Sequence, residues 1–350
     1  MLNRIVSHLL TALVIAFLMT PAGCRQDSGS GQTDTLSTQD TSQSAIDRRF
    51  RELNEQLLRD SLNPGLLFER AQLMKIRGNI PGAYQEMERV VTLDSGKVVY
   101  FLALADIAFR ALQVPRSIEA FERCLRIDPK NTEAHLRLAE LYFYLKAYPK
   151  AIESANNALR LNDRLARAYS IKGFVYKESG DTAKAISSFQ TVLELDPENY
   201  DTQRELGRIF AAKKDPLALQ YYNNALRIRP GSGEILYNRG LYYQEIGQLK
   251  EAEADYATLL ASDPKDPDAH HNLGYIALRY KEDYPAAIRH FTDAIRYNPE
   301  YAEAYYHRGL AEERMGNRTA ALTDYRKATT IYPSFALAKD GIKRVAGRGE

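Results

Sequence analysis

The sequence predicts an all-α solenoid of eight stacked helix–turn–helix repeats, and three observations carry that expectation. A block of about 34 residues recurs from Pro64 to Phe335, marked by one small residue per block. Ala71, Ala105, Ala139, Gly173, Gly207, Gly240, Gly274 and Gly309 follow at intervals of 34, 34, 34, 34, 33, 34 and 35. A second small residue lies about twelve positions on (Ala83, Ser117, Ala151, Ala185, Ala218, Ala252, Ala287, Ala321). A large one follows four later: Met87, Phe121, Phe189, Tyr222, Tyr256, Phe291 and Tyr325, with Ala155 the exception. Proline closes six of the eight blocks, at Pro129, Pro197, Pro230, Pro264, Pro299 and Pro333. A single pair of helices cannot bury both of its apolar faces, so a period of this length implies stacking rather than one globular core.

The elements follow in order along the chain. Residues 1–23 open with Arg4, carry an apolar run from Leu9 to Met19 and end on Pro21-Ala22-Gly23 before Cys24. That is the layout of a secretory signal, short for a membrane span. A cysteine directly after Ala-Gly resembles the bacterial lipoprotein signal, although Pro21 stands where that family usually has an aliphatic residue. The resemblance implies lipid attachment at Cys24, which becomes the mature N-terminus. Residues 24–45 are rich in Ser, Thr, Gln, Gly and Asp, too polar to bury a core, and are expected to be a flexible tether. Such a tether spans on the order of 25 Å root-mean-square.

Residues 46–63 are expected to form a capping helix, because Ile46, Phe50, Leu53 and Leu57 make an apolar stripe at helical spacing. The eight repeats then run 64–97, 98–131, 132–165, 166–199, 200–232, 233–266, 267–301 and 302–335. In the fourth, AYSIKGFVYKE and AKAISSFQTVLEL each show apolar residues three and four apart. Small residues let the two helices approach, and the large residue fills the groove between them. Asp181 is placed to cap the second helix, and Pro197 forces a turn because it lacks an N–H and constrains Asp196. The fifth repeat is one residue short through Lys213-Lys214-Asp215-Pro216. The seventh is one longer through Arg279 to Pro285, again in the turn between paired helices. Residues 336–350 supply a second capping helix and a tail. There Phe335, Ala338, Ile342 and Val345 face one way, Lys339, Lys343 and Arg344 the other.

The small, small, aromatic and proline positions at these offsets resemble the tetratricopeptide repeat family over about 80% of the chain. The chain has no tryptophan. Phe101, His135, Tyr169, Leu236, His270 and Tyr305 take the bulky position near the repeat start. The resemblance implies a right-handed superhelix whose first helices line a concave groove that binds proteins or peptides. Carried over by register, the third repeat offers Glu133, Leu136, Glu140, Phe143 and Tyr144. The fourth and fifth offer Arg167, Phe174, Lys177, Arg204 and Arg208. The last three offer Tyr237, Asn238, Leu241, His271, Asn272, Tyr275, Arg279, Tyr306 and Arg314. The expected groove is zoned: acidic, then basic, then tyrosine-rich. Phe68, Tyr237 and His271 stand where a chaperone clamp of the family carries lysine, so that partner class is not expected.

No catalytic motif accompanies the repeats, and neither an enzyme nor a cofactor is expected. The net charge of +2 argues against bulk binding to nucleic acid. Gly231-Ser232-Gly233 reads as an ordinary turn. His270 and His271 are adjacent on one helix and point about 100° apart, so they cannot share a metal as an i, i+4 pair does. No metal site is expected from them with His290 and His307. Cys124 is expected to be a packed apolar residue, leaving no intramolecular disulfide if Cys24 is lipidated. The expected function is a membrane-anchored scaffold that binds proteins in assembly, secretion or cell-wall machinery of the bacterial envelope, at the outer membrane. The alternative is a lipoprotein that captures glycans or nutrients, against which the lack of long insertions counts.

Overall fold

The structure, a computed structural model, describes residues 35–347, so the signal at 1–23, Cys24 and the last three residues lie outside it. The described residues are helical throughout, with short turns and no strand. The chain divides between Ser95 and Gly96 into two compact bodies.

The N-terminal body holds α1 (Thr35–Arg59) and the first repeat, α2 (Pro64–Ile76) and α3 (Ile80–Leu93). Helix α1 begins earlier than expected, so residues 35–45 are helical where a tether was anticipated. That stretch contains neither Gly nor Pro, and a helix nucleated on the buried Leu53 and Leu57 propagates backward at little cost.

The C-terminal body pairs α4 (Val98–Arg110) with α5 (Val114–Ile127), α6 (Thr132–Tyr144) with α7 (Tyr148–Leu161), and α8 (Ala166–Glu178) with α9 (Thr182–Leu195). It continues with α10 (Tyr200–Ala212) and α11 (Leu217–Ile228), α12 (Gly233–Glu245) and α13 (Leu249–Ser262), and α14 (Pro267–Arg279) and α15 (Tyr284–Tyr297). The last pair is α16 (Ala302–Arg314) and α17 (Arg318–Ile331), followed by a single helix, α18 (Ala336–Ala346). Each first helix packs on its partner, and each second helix then packs on the first helix that follows. None of the described helices is long and apolar enough to cross a membrane.

Five of the pairs are locked by a ring laid over a glycine. A Cβ added to Gly173 would sit 2.5 Å from the Phe189 ring, and one on Gly207 2.6 Å from Tyr222. Gly240 and Gly274 meet Tyr256 and Phe291 in the same way, both at 2.8 Å. Helix starts are capped where the sequence places a short polar residue: Asp181 accepts the Lys184 N–H at 3.1 Å, and Asn131, Asn199 and Asp266 act likewise. Both irregular repeats absorb their length change in the turn between paired helices, where Lys214 and Glu282 take positive φ.

The bulky position near the repeat start also has a polar duty. His135, Gln203 and His270 each donate from Nε2 to the carbonyl of Pro129, Pro197 and Pro264, all at 3.1 Å. A carbonyl can only accept, so both histidines carry the proton on Nε2. The closing proline thus ends one helix and supplies the acceptor that fixes the next.

A second set of bonds ties three helices at a spacing of sixteen residues. In the N-terminal body Arg70 donates back to Asn54 on α1 at 3.0 Å and forward to Glu86 on α3 at 2.6 Å. In the C-terminal body Arg239 grips Asp255 through two bonds of 2.8 and 2.6 Å and also reaches Asn223. Arg308 does the same with Asp324, at 2.8 Å twice, and with Thr292 at 3.1 Å. All three acids are buried; the Arg239 and Arg308 forks grip Asp255 and Asp324 with two bonds each, while Arg70 gives Glu86 one.

Candidate partner-binding face

Within the C-terminal body, successive first helices touch one another directly: α6 with α8, α10 with α12, α14 with α16, and α16 with α18. Successive second helices make no comparable contact. The first helices therefore form the tighter, inner face of that body, and the residues expected to line a groove fall on it.

Its middle is neutralised from within. Arg167 reaches back to Glu140 at 2.5 and 2.7 Å and to Glu133 at 3.1 Å. Glu205, only 3% exposed, accepts from Lys177 at 2.8 Å and Arg204 at 3.2 Å, with Arg208 at 3.7 Å. Burial alone would raise the Glu205 carboxyl; Lys177, Arg204 and Arg208 outweigh it and hold the group below its ordinary value. The acidic and basic zones expected from register are thus joined into ion pairs rather than facing solvent as opposite fields. Of the basic set, Arg208 keeps the most open side chain, at 54%.

Three expected lining residues lie deeper than register implied. Leu136 is buried in the core of the third and fourth repeats. Phe174 is half-buried, its ring 6.2 Å from Phe143 and 5.2 Å from Phe189. Asn272 is 8% exposed and its Nδ2 has no hydrogen-bond partner, whereas Asn238 in the equivalent place stays half-exposed. The same register position buries Ile171 and Glu205, because it points toward the junction of neighbouring repeats.

The tyrosine-rich end keeps its aromatic side chains partly open and packs them over a histidine pair. Tyr237, Tyr275 and Tyr306 are half-exposed and Leu241 is exposed. Tyr275 lies 5.2 Å from the His307 ring, Tyr306 5.1 Å from His307, and Tyr306 5.2 Å from Phe335. Under this band His271 Nε2 and His307 Nδ1 stand 3.0 Å apart and share one hydrogen bond. Tyr301 stacks on His271 at 4.9 Å, and its hydroxyl donates to Asp268 at 2.8 Å. Burial pushes both imidazoles down, His307 to about 3, with His271 and Arg279 adding to the effect there. Both rings are neutral near pH 7.

Among the described residues no group of three or more His, Cys, Asp or Glu is placed to hold a metal ion. His270 stacks on Tyr297 at 5.7 Å, away from His271. Cys124 is buried, and burial followed by Asp128 pushes its thiol up to about 11, so it packs as a small apolar group. Ser232 caps α12 and bonds the Tyr200 hydroxyl at 2.6 Å, which occupies the Gly231–Gly233 turn structurally.

The family model described as tetratricopeptide repeat matches residues 102–166, 175–233 and 276–334, and a second model of that description matches 221–254. The chain is 26% identical over 184 residues to human tetratricopeptide repeat protein 16, which covers 47% of this chain and 21% of that protein. It spans about a fifth of the length of the curated relatives it matches. Among solved structures, the C-terminal part of a repeat-containing protein from Cytophaga hutchinsonii aligns with a TM-score of 0.61 at 19% identity. That alignment covers 71% of this chain and all of the other. A tetratricopeptide repeat protein from Parabacteroides merdae aligns with a TM-score of 0.50 at 16% identity, over 71% of this chain and 98% of that one. These likenesses support the fold.

Proposed function

Because the chain belongs to the tetratricopeptide repeat family, we propose that it is a non-catalytic scaffold that docks a segment of a partner protein along the inner face of its first helices. The observation that carries this reading is the aromatic band of the last repeats. There Tyr275 and Tyr306 stay half-exposed on first helices that pack directly on one another. Large, stiff aromatic side chains give contact area at low entropic cost and act as anchors in protein interfaces. Exposed Leu241 and the open Arg208 side chain extend the surface toward earlier repeats.

In this reading Cys24 carries the lipid, and the segment after it tethers the scaffold to a bacterial membrane, the outer one by preference. Each buried methylene of an acyl chain contributes roughly 0.8 kcal/mol, so several chains hold the protein stably. Assembly, secretion and cell-wall machineries of the envelope all need such a fixed docking platform. A photocrosslinking residue at Tyr275 or Tyr237 of the full-length chain is expected to capture a partner in bacterial cells, while one at Gln190 on the second-helix side captures none. Adducts confined to Gln190 would overturn the docking face. In the same cells Cys24→Ser is expected to move the protein from membranes to the soluble fraction, and unchanged fractionation would overturn the anchor.

A further inference from the structure

We propose that the docked segment is acidic and sets two carboxylates against Arg279 and Arg314, an inference that rests on the docking face above and names its partner chemistry. Every other arginine on a first helix of the C-terminal body reaches a carboxylate. The range runs from Arg167, 2.5 Å from Glu140, to Arg208, 3.7 Å from Glu205. Arg279 and Arg314 are exposed, and neither takes part in an ion pair or side-chain hydrogen bond with another described residue. They occupy the same register, five residues after Gly274 and Gly309, so they repeat across two first helices that touch.

The helix macrodipole favours a cation in each last turn. It applies equally to α8 and α12, which end in Glu178 and Glu245, so it does not by itself select this pair. Asp268 and Glu303 lie in the first turns, with Asp268 occupied by the Tyr301 hydroxyl, whereas Glu312 and Glu313 lie in the last turn of α16, where Asn317 donates to Glu312 and both Arg344 and the Tyr325 hydroxyl donate to Glu313. From Asp268 to Arg279 is roughly 16 Å along the axis at 1.5 Å per residue. The acids at this edge are taken by Asn317, Tyr325 and Arg344, which leaves Arg279 and Arg314 without a carboxylate partner among the described residues. Arg279 also lies close enough to Tyr306 and His307 for its charge to act on both.

A guanidinium beside a tyrosine offers a carboxylate a charge-assisted, two-pronged bond and its neighbour an aromatic surface. Axes of packed helices lie roughly 8–10 Å apart, and an extended chain advances about 3.3 Å per residue. The two carboxylates should then stand about three positions apart in an extended partner.

A random peptide library displayed on phage and panned on the full-length chain tests this. The expected result is enrichment of Asp or Glu at three-residue spacing among clones that Tyr275→Ala releases. Affinity of a selected peptide should fall at least tenfold, roughly, on Arg279→Gln with Arg314→Gln, the circular dichroism staying unchanged. Panning on Arg279→Glu with Arg314→Glu should instead enrich Lys or Arg at the same spacing. Clones released by Tyr275→Ala but lacking acidic enrichment would overturn this inference and leave the docking face standing. Clones indifferent to Tyr275→Ala, or none retained above an unrelated protein, would overturn both.

Discussion

Tyr256 and Tyr325 hold the same register in the sixth and eighth repeats, and both rings are fully buried over a glycine. Their hydroxyls differ. Tyr325 donates to Glu313 at 2.7 Å, in a cluster completed by Arg344, whereas the Tyr256 hydroxyl is buried without a partner. An unsatisfied buried hydroxyl costs about 1–3 kcal/mol. Tyr256→Phe is therefore expected to leave stability unchanged or raise it by about 1 kcal/mol. Tyr325→Phe should lower it by about 1–2 kcal/mol, since it removes a bond to a charged acceptor. Urea titrations of the two variants check the contrast; equal losses would contradict it. The small-and-large pairing was legible in the sequence because it recurs in phase. The fate of each hydroxyl was not, since the partner of Tyr325 comes from an acid outside the repeating signature.

Between elements, the imidazole pair joins α14 to α16. Its two facing nitrogens can hold one proton between them; a second would set two N–H groups and a positive charge against each other beneath the aromatic band. The groups around the pair are Asp268, Asn272 and Arg279 from α14, Phe291 from α15, Tyr301 between helices, and Glu303, Tyr275 and Tyr306 along the face. Burial lowers both pKa values, so the folded state keeps the pair neutral while the unfolded chain protonates below its ordinary 6.5. Folding stability is then fully present above pH 6.5 and is lost as pH falls toward about 3. Thermal unfolding between pH 7.5 and about 4.5 is expected to show a shallower decline for His307→Phe than for the native chain. Parallel profiles would contradict this. Register could not find the pair, because His271 lies three residues before Gly274 and His307 two before Gly309. That offset, added to the extra residue of the seventh repeat, separates them by 36 positions.

The terminal helices show the opposite case, in which register explains the finding. Shifted by 34 residues, Ala83, Met87 and Val90 of α3 fall on Arg49, Leu53 and Gln56 of α1. Leu53 is buried, while the places that would meet a preceding helix are polar. In α18, Lys339 and Lys343 take the places of Tyr305 and Gly309, which face a second helix in the eighth repeat. Among the described residues, each end is a half-repeat with polar side chains where a partner helix would pack, the expected solution for a stacked array.

At the largest scale, that of the C-terminal body, one rule accounts for most of what is seen: helix pairs closed around a small residue, stacked so that first helices crowd together. Periodicity announced that rule, because close packing leaves the same few positions no freedom in any repeat. It was silent on charge, since ion pairs such as Arg167–Glu140 and Lys177–Glu205 reach from one repeat to the next. These contacts converted an expected basic zone into a neutral one and left Arg279 and Arg314 as the first-helix arginines of the C-terminal body without a carboxylate partner among the described residues. The start of α1 was equally hidden, because a polar stretch without Gly or Pro reads as tether or as helix depending on what it adjoins. The most direct measurement is an experimental structure of the full-length chain with a peptide selected for binding. The account predicts the peptide along α14 and α16, against Tyr275, Tyr306 and Arg279. A peptide seated on the second helices α13, α15 or α17 would contradict it.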